Sequence, residues 1–486
     1  MMLIQEEAAR CLLCANAPCS KACKTGDPAR AVRAVRFGNA AIAKQWIKAC
    51  SEEDLEAAEK ACIHYDRPVR IREIARQLPE AEEKALPSLE IDFCGIRCEN
   101  PFFLASGAEC TNYDMVSRAF EAGWAGVAFK TICSMDIREA SPRYSALPGD
   151  GSSIIGFKNI EQLSTLGVEE NMKILRRLRE NYPTKLLLAS IMGRDEEEWG
   201  TLARLCEENG AHAVELNFSC PNMADGGYGS DIGQVPELVE RFTRVAKQAC
   251  GIPVLAKLTP NVLRMSEAAE AALRGGADGL AAINTIKSVT NVNLHTYVSA
   301  PAVRGQGAVG GYSGSAVRPI ALRFVAELGL NPELRGMHIS GMGGIETWRD
   351  AAEFLLLGAR SLQAATAVMQ YGYRIIDDLK QGLNLYLAEK GFASLSEMSG
   401  LGLDHLSGTT DSLDRGTVLF PRLLKERCVG CGRCAVSCAD GGHQALRLDE
   451  QRHPVLNGGR CVGCHLCVLV CPQRAMVPGT KRIRRP

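Results

Sequence analysis

Eight cysteines near the end of the chain fall into two runs with the same spacing. Both runs read C-x2-C-x2-C-x3-C, and Pro472 closes the second one. Thiolates at this spacing are typical of modules that hold two 4Fe–4S clusters, with the fourth cysteine of each run crossing to the other cluster. A pair of structural zinc sites is the alternative, although zinc seldom takes three cysteines so closely spaced. The first predicted cluster uses Cys428, Cys431, Cys434 and Cys471, and the second uses Cys438, Cys461, Cys464 and Cys467.

The charge balance and the cysteine content limit the partners and the compartment. Lys and Arg together number 56, as do Asp and Glu, so the net charge of zero argues against a nucleic acid or an anionic membrane as partner. The sequence has neither a signal-peptide pattern nor an apolar run long enough to span a bilayer. Twenty-one cysteines in such a chain are typical of metal ligands and free thiols in a reducing compartment. We therefore expect a cytoplasmic protein.

The composition changes along the chain and predicts its domains. Residues 1–85 are rich in Ala, Arg and Glu with helical periodicity, which predicts a helical amino-terminal domain. Residues 88–400 alternate short apolar runs with amphipathic helical segments. Residues 401–420 form a polar Gly/Ser/Asp stretch suited to a linker. Residues 421–486 contain the two cysteine runs and predict a domain of the ferredoxin type.

The middle region has eight apolar runs separated by helical segments. Eight such strands alternating with helices over about 300 residues predict an α/β fold, specifically a (β/α)8 barrel, with an open doubly wound sheet as the alternative. The segment LEIDFCGIRCENP before the first run predicts a hairpin that covers the barrel floor. The runs are residues 101–107, 125–131, 185–193, 213–220, 253–259, 279–285, 337–343 and 361–369.

Polar side chains and glycines recur at the ends of these predicted strands, where a barrel places its active site. The Gly-rich stretches GMGG (341–344) and GGYSG (310–314), with QAATA (363–367), predict a site for a phosphorylated cofactor. Lys257 lies among apolar neighbours and needs an anionic partner. A reduced flavin is a natural one, and a flavin can divide a hydride between single-electron carriers. This reasoning favours FMN over a nicotinamide.

Cys220 lies in NFSCPN, directly before the Gly-rich segment MADGGYGSD. A thiol with an ordinary pKa near ~8.5 is mostly protonated at neutral pH and can act as a general acid beside a flexible lid. The alternative is a buried structural cysteine. The carboxamides of Asn159, Asn217 and Asn284, together with Thr285, can pair with the alternating N–H and C=O groups of a cyclic imide-urea such as uracil.

These motifs resemble dihydropyrimidine dehydrogenase, in particular the catalytic subunit of the bacterial NAD-dependent enzyme. The resemblance covers residues 88–486 and includes LASGAECTNYDMVSRAFEAGWAGVAFKT, NFSCPN, LAKLTPN, AAINTIKS and SGMGGIETW. It implies that Cys220 is the general acid. It implies that the pyrimidine is held by Asn159, Asn217, Ser219, Asn284 and Thr285. It implies that FMN is contacted by Ala105, Ser106, Lys130, Thr131, Lys257, Gly314, Gly343, Gly344, Ala365 and Thr366.

The amino-terminal cysteines resemble the cluster domain of the long animal-type enzyme rather than the two-subunit bacterial one. RCLLCANAPCSKAC (10–23) has a C-x2-C-x4-C spacing, which predicts a third 4Fe–4S cluster. Cys23 and Cys50 remain and are too few for a second cluster in this domain. The ligands of the predicted cluster are Cys11, Cys14, Cys19 and Cys62.

No G-x-G-x-x-G sequence opens a Rossmann unit after a predicted strand, so the sequence offers no FAD or NAD(P)H site of that type. We expect a hetero-oligomer in which an FAD-containing subunit oxidises NAD(P)H and donates the electrons. A free ferredoxin is the alternative donor.

The expected reaction is reduction of the 5,6 double bond of uracil or thymine, with a hydride from reduced FMN to C6 and a proton from Cys220 to C5. A dihydroorotate dehydrogenase is the alternative enzyme, because SCPN with Asn222 is the pattern of that related barrel. A barrel that relays electrons through FMN without chemistry of its own is the alternative of another class.

Overall fold

A computed structural model of the chain describes residues 4–80, 86–149, 153–223 and 228–484, with side chains described to residue 480. The chain divides into two compact units, with the boundary between Leu406 and Ser407. The first unit holds the predicted amino-terminal and barrel regions, and the second holds both cysteine runs. The predicted linker, residues 401–420, spans this boundary.

The secondary structure of both units alternates short strands with helices of up to 16 residues. The helices are α1 Ile4–Ala9, α2 Pro18–Ala22, α3 Pro28–Arg36, α4 Ala40–Ala43, α5 Glu52–Lys60, α6 Ile71–Gln77, α7 Tyr113–Ala122, α8 Val168–Asn181, α9 Glu196–Glu208, α10 Pro236–Ala249, α11 Ser266–Arg274, α12 Arg318–Leu330, α13 Trp348–Leu356, α14 Thr366–Tyr371, α15 Ile375–Lys390, α16 Leu395–Met398, α17 Arg433–Gly441 and α18 Leu466–Leu469. The strands are β1 Ile91–Phe93, β2 Ile96–Cys98, β3 Phe102–Leu104, β4 Gly126–Ile132, β5 Tyr144–Pro148, β6 Ile154–Asn159, β7 Leu186–Ile191, β8 Ala213–Asn217, β9 Val254–Lys257, β10 Gly279–Ala282, β11 Ile286–Ser288, β12 Ala302–Val303, β13 Gln306–Gly307, β14 Gly310–Ser313, β15 His338–Met342, β16 Ser361–Ala364, β17 Thr417–Leu423, β18 Leu446–Leu448, β19 Pro454–Leu456 and β20 Met476–Arg484.

Eight parallel strands close into a barrel in the order β3-β4-β7-β8-β9-β10-β15-β16, and β16 pairs with β3. Each strand coincides with one of the eight predicted apolar runs, and only β4 extends beyond its run, by the single residue Ile132, so the predicted (β/α)8 barrel is confirmed. All seven residues of β4 and all six of β7 are buried, because barrel strands are covered on the outside by helices and on the inside by packed side chains.

Two of the barrel helices begin at residues whose side chains cap them. Asn112 accepts a hydrogen bond from the backbone N–H of Met115 at the start of α7, and Thr347 and Asp350 form a capping box at the start of α13. The buried faces of α7 and α13 pack on the outside of the barrel. These local signals fix the helix starts, and the strand ends that carry the polar residues follow from them.

The floor of the barrel is covered by the antiparallel hairpin β1–β2, as predicted. The Phe93 ring packs against Phe103 at 5.4 Å and against His338 at 4.6 Å between ring centroids. His338 is the first residue of β15, so the hairpin lies at the amino-terminal ends of the strands. The hairpin therefore leaves the carboxyl-terminal ends of the strands free to form a functional site.

A second sheet, which the sequence analysis did not predict, lies above the barrel. Its four antiparallel strands have the order β11-β14-β6-β5 and come from the connections that follow barrel strands β4 and β10. Gly311 of β14 pairs with Asn159 of β6, and Tyr312 pairs with Ile286 of β11. We call it the mouth sheet, and it brings Asn159 to the barrel opening.

The amino-terminal helices pack around a small apolar core of their own and contact the barrel helix α15. Arg33 Nε lies 2.8 Å from the buried carboxylate of Asp378, and Asn39 donates a hydrogen bond of 2.8 Å to the Asp378 carbonyl. Burial raises the pKa of Asp378 to about 6, although the neighbouring Arg33 lowers it. The ion pair and the hydrogen bond fix this helical layer on the barrel.

The second unit consists of two small antiparallel pairs, β17–β20 and β18–β19, with the short helices α17 and α18 between them. Cys434, Leu446, Cys467 and Met476 form its buried core. Among the described residues, no helix is both long enough and apolar enough to cross a membrane.

Candidate active site and cluster sites

A cleft of about 1050 Å³ opens at the carboxyl-terminal ends of the barrel strands, beneath the mouth sheet. All the residues predicted to contact FMN or the pyrimidine line the cleft except Ser219. Those that line it, with Cys220, are Ala105, Ser106, Lys130, Thr131, Asn159, Asn217, Lys257, Asn284, Thr285, Gly314, Gly343, Gly344, Ala365 and Thr366.

Three glycines shape one end of the cleft. Gly314, Gly343 and Gly344 have φ angles of 94°, 122° and 81°, in the left-handed region that favours glycine. A Cβ at Gly344 would lie 2.8 Å from the carbonyl oxygen of Gly314, so neither position has room for a side chain. Ser313 and Thr366 share a hydrogen bond of 2.8 Å beside them. The backbone can therefore approach a phosphate closely at this end.

Lys257 lies at the base of the cleft and pairs with a carboxylate that the sequence analysis missed. Its Nζ is 3.1 Å from Glu215 Oε1, and both side chains are buried. Gln363 Nε2 donates to the other Glu215 oxygen at 3.0 Å and to Ser340 Oγ at 3.2 Å. The anionic partner that Lys257 needs is thus supplied in part by the protein. In the sequence, the signal for this ion pair was Glu215, a charged residue in the middle of the apolar strand β8.

A chain of hydrogen bonds joins two of the predicted ring-binding carboxamides. Asn217 Nδ2 donates to Thr131 Oγ1 at 2.9 Å, and Ser219 Oγ donates to Asn217 Oδ1 at 2.9 Å. Asn284 Nδ2 in turn donates to Ser219 Oγ at 2.8 Å. Ser219 is fully buried and lies behind the cleft rather than on its surface. Its hydroxyl orients both carboxamides, which differs from the direct ring contact that was expected.

The third carboxamide, Asn159, is held from the mouth sheet. Asn222 Nδ2 donates to Asn159 Oδ1 at 3.1 Å and to the Glu161 carbonyl at 2.7 Å. Gln162 Nε2 donates to the Asn222 carbonyl at 3.2 Å. Asn222 therefore ties the end of β6 to the segment that carries Cys220, a role that its position in SCPN did not reveal.

Cys220 lines the cleft, as predicted, and its side chain is buried. Burial raises the pKa of the Cys220 thiol above its ordinary value, although the Asn222 backbone N–H and Lys130 lower it. The thiol is therefore protonated at neutral pH. Gly229 packs on Cys220, because a Cβ there would lie 2.4 Å from the Cys220 carbonyl oxygen. Residues 224–227 of the predicted lid lie outside the described residues.

Glu109 is a second buried carboxyl group near the cleft that the sequence analysis missed. Both of its side-chain oxygens are buried without a hydrogen-bond partner. Burial raises the pKa of Glu109 to about 8, although Lys130 lowers it. It follows Ala108, which lines the cleft, so a mostly neutral carboxyl group lies directly behind that wall. Its place in the apolar GAECTNY segment gave no usable signal.

The second unit gathers the carboxyl-terminal cysteines into two groups. Cys428, Cys431, Cys434 and Cys471 line one cavity of about 350 Å³. Cys438, Cys461, Cys464 and Cys467 line another of about 340 Å³. The fourth cysteine of each run thus lies with the other run, as the spacing predicted. Backbone N–H groups of Ala445 and Ala475 donate to the sulfurs of Cys438 and Cys471 at 3.3 Å and 3.2 Å.

A further cavity, of about 1060 Å³, lies among the amino-terminal helices and contains the four cysteines predicted for a third cluster. We call it the cysteine cavity. Backbone N–H groups donate to Cys11 Sγ and to Cys62 Sγ, each at 3.4 Å. Cys23 and Cys50 do not line it, and their sulfurs lie 3.2 Å apart. The cavity is lined by Cys11, Cys14, Cys19 and Cys62, and also by Arg30, Arg33 and Arg374.

A G-x-G-x-x-G sequence does occur at residues 305–310, but its structure is not that of a dinucleotide site. It runs through β13 into β14 and does not join a strand to a helix. The tight strand-to-helix turn that holds a pyrophosphate is therefore not formed at this sequence.

Models of known families match two parts of the chain. A model described as dihydroorotate dehydrogenase matches residues 88–387, which is more than half of the chain. The chain belongs to the dihydroorotate dehydrogenase family. A model described as a 4Fe–4S dicluster domain matches residues 422–477, so the second unit of this family member contains such a domain.

Three relatives share between 36% and 52% sequence identity with the chain. The NAD-dependent dihydropyrimidine dehydrogenase subunit PreA of Escherichia coli K12 is 52% identical over 363 residues, which cover 75% of this chain and 88% of the relative. The chloroplastic dihydropyrimidine dehydrogenase (NADP(+)) of Arabidopsis thaliana is 36% identical over 68% of this chain and 80% of its own length. The catalytic subunit of dihydroorotate dehydrogenase B (NAD(+)) of Pyrococcus abyssi is 38% identical over 65% of this chain and 99% of its own length. The resemblance to dihydropyrimidine dehydrogenase is confirmed.

Proposed function

We propose that this chain reduces the 5,6 double bond of uracil and thymine to the 5,6-dihydropyrimidine, as a step of pyrimidine catabolism. The observation that carries the proposal is that three asparagine carboxamides and the buried thiol of Cys220 line the same cleft. A neutral ring with alternating donors and acceptors matches that lining. Two of the relatives are named dihydropyrimidine dehydrogenases, which supports the same substrate class.

The residues of the cleft fit FMN. The three glycines at one end carry no side chain that would keep a ligand from their backbone, and the Lys257 ammonium group lies at the base beside Glu215. FMN, when bound, supplies transfer of a hydride to carbon C6 of the ring. The residues that we propose to hold it are Ala105, Ser106, Lys130, Thr131, Lys257, Gly314, Gly343, Gly344, Ala365 and Thr366.

The pyrimidine is held by Asn159, Asn217, Asn284 and Thr285, while Ser219 orients two of these carboxamides from behind. Because Asn217 and Asn284 are already joined through Ser219, little side-chain freedom is lost when the ring binds. Cys220 Sγ–H donates its proton to C5, so that one hydride and one proton saturate the bond. The resulting thiolate regains a proton from solvent after product release.

Electron supply is the second part of the proposal. The dicluster domain carries one 4Fe–4S cluster on Cys428, Cys431, Cys434 and Cys471 and another on Cys438, Cys461, Cys464 and Cys467. A third cluster is held by Cys11, Cys14, Cys19 and Cys62 in the cysteine cavity.

The electron donor is a partner subunit. We propose a hetero-oligomer with an FAD-containing subunit that oxidises NAD(P)H, since the PreA relative is named as a subunit of an NAD-dependent enzyme. A free ferredoxin is the alternative donor. A cytoplasmic location is proposed from the 21 cysteines, none of which forms a disulfide among the described residues.

The proposal is tested with the full chain loaded with FMN and iron under anaerobic conditions. A chemical reductant supplies electrons, and uracil, thymine and orotate are offered separately. We expect dihydrouracil and dihydrothymine to form, as measured by chromatography. An FMN-loaded chain that releases no dihydropyrimidine, and whose flavin absorbance does not respond to uracil, would instead be an electron relay.

Dihydroorotate oxidation is the second candidate, because the segment SCPN with Asn222 and the 38% identity to the archaeal enzyme favour it. The same substrate panel decides between the two. Interconversion of orotate and dihydroorotate with inert uracil would establish the second candidate and exclude the first.

A further inference from the structure

We propose that Glu161 determines the substrate class of the cleft by neutralising Lys130, so that neutral pyrimidines are accepted and pyrimidines with a carboxylate are rejected. The inference rests on the proposed function, because it concerns which pyrimidine the same cleft takes. Glu161 follows Asn159 at the end of β6 and lines the cleft. The sequence analysis gave it no role.

Both lysines of the cleft already have a carboxylate partner. Lys130 Nζ lies 3.5 Å from Glu161 Oε1, and the exposed fractions of the two side chains are 6% and 10%. Lys257 is paired with Glu215 at 3.1 Å. Among the described residues that line the cleft, these two lysines are the cations. A carboxylate on the substrate would therefore find no cation without a competing anion.

Glu161 is fixed in this position from two sides. Tyr144 donates a hydrogen bond of 3.0 Å from its hydroxyl to Glu161 Oε2. Asn222 donates to the Glu161 backbone carbonyl at 2.7 Å. The side chain therefore cannot swing away from Lys130 without giving up the tyrosine contact.

The charges near Glu161 do not cancel its effect on a ligand. Arg143 lies over the Tyr144 ring at 5.6 Å from its centroid and does not line the cleft. Glu139, whose Oε1 accepts from the Gln162 backbone N–H at 2.8 Å, adds a second carboxyl group behind the wall. An anionic ligand beside Lys130 would also lie close to Glu161, and like charges at short range in a poorly hydrated site repel strongly.

The first test replaces Glu161 with Gln, which keeps its size and its acceptor for Tyr144 but removes the charge. Binding of uracil and of orotate is measured as the change in flavin absorbance of the FMN-loaded chain. In Glu161→Gln we expect the Kd for orotate to fall about tenfold or more, because Lys130 becomes an unpaired cation, while the Kd for uracil changes less than about threefold. Glu139→Gln is the matched control, and it should leave both Kd values near those of the wild type.

The second test needs only the wild-type protein and separates charge from size. Orotate is compared with orotamide, its neutral amide of almost the same volume. We expect orotamide to bind about tenfold or more tightly than orotate. Equal binding of the two would mean that the cleft rejects a bulky group rather than a charge, and it would overturn the inference even if Glu161→Gln does not fold.

The outcomes distinguish this inference from the proposed function. A clear uracil response with an unchanged orotate-to-uracil ratio in Glu161→Gln overturns the role of Glu161 and leaves pyrimidine reduction standing. A wild-type chain that binds orotate as well as uracil also overturns that role. A wild-type chain with bound FMN but no uracil response overturns both.

Discussion

The active-site cleft and the cysteine cavity differ in the kind of residues that line them. In the cleft, polar side chains from neighbouring strands already bond to one another, as in the chain from Thr131 through Asn217 and Ser219 to Asn284. In the cysteine cavity, burial raises the pKa of Cys11 and raises that of Cys19 to about 11.

This difference indicates how each site becomes competent. The cleft is organised by the protein itself, so a neutral ligand can bind without rearranging it. Buried thiols with raised pKa values are poor ligands until a metal centre replaces their protons. The cleft should therefore form without iron, whereas the cysteine cavity should depend on cluster assembly.

The largest expected effect concerns the proton donor of the cleft. Cys220→Ala should lower turnover of uracil by about 10²- to 10⁴-fold, because a general acid contributes that much. Binding of FMN, and the change in flavin absorbance on adding uracil, should persist because the hydrogen-bonded carboxamides remain. The measurement is dihydrouracil formation with a chemical reductant.

Cys206→Ala is the matched control for this change, since Cys206 is buried in α9 and does not line the cleft. It should keep nearly full turnover. If Cys220→Ala were as active as that control, another group would have to protonate the ring, and the assignment of Cys220 would be wrong.

The next effect concerns iron. With three 4Fe–4S clusters the wild-type chain should contain about twelve iron atoms, and Cys62→Ala should lower this to about eight by removing the amino-terminal cluster. Turnover with a chemical reductant should fall much less than in Cys220→Ala, since this cavity does not contribute to the cleft. Iron is measured by elemental analysis after anaerobic reconstitution.

Cys50→Ala is the control, because Cys50 belongs to the pair with Cys23 and not to the cysteine cavity. It should retain about twelve iron atoms. A wild-type content of about eight iron atoms would show that the amino-terminal cysteines bind no cluster. The expected dependence of the cysteine cavity on cluster assembly would then be wrong.

The two cavities also differ in how far the sequence predicts them. The barrel strands alternate regularly with helices, so their ends could be located, and with them Lys130, Asn217 and Lys257. The cysteine runs of the second unit fixed their own grouping by spacing. Cys62 lies 43 residues after Cys19 in the sequence, and it was placed with the other three by resemblance rather than by local pattern.

What sequence reasoning missed lies in contacts between distant segments. The mouth sheet joins β5 and β6 to β11 and β14, and pairing across so long a separation has no local signal. Glu161 looked like an ordinary polar residue of a loop, although the sheet places it against Lys130. Ser219 was expected to hold the pyrimidine, and its burial behind the cleft depends on how the strand end turns, which the motif does not specify.

A smaller effect concerns the pH dependence of folding. The pKa of Glu109, ordinarily 4.5, is raised to about 8 by burial, so the folded state binds a proton that the unfolded chain has released. Stability should therefore be highest at low pH and fall between about pH 4.5 and pH 8, by on the order of 2 to 4 kcal/mol. Glu109→Gln should flatten this dependence.

The measurement for Glu109 is urea unfolding at pH 5 and pH 8, followed by tryptophan fluorescence. All four tryptophans precede residue 407, so the signal reports the first unit. Glu180→Gln, on the exposed side of α8, is the control and should keep the wild-type pH dependence. A wild-type stability that is equal at both pH values would mean that Glu109 ionises freely and is not held neutral beside the cleft.

The smallest effect probes whether the cleft is organised before the ligand binds. Ser219→Ala removes the hydroxyl that accepts from Asn284 and donates to Asn217. Losing two hydrogen bonds of about 1 kcal/mol each should lower kcat/KM for uracil by up to about 30-fold, mostly through KM, because the carboxamides are freer before binding. Thr243→Val is the control, since the Thr243 hydroxyl is buried in α10 without a hydrogen-bond partner. If Ser219→Ala lowered kcat and left KM unchanged, the hydroxyl would act in the transition state rather than in positioning. The cleft would then become ordered only when its ligand binds, as we expect for the cysteine cavity.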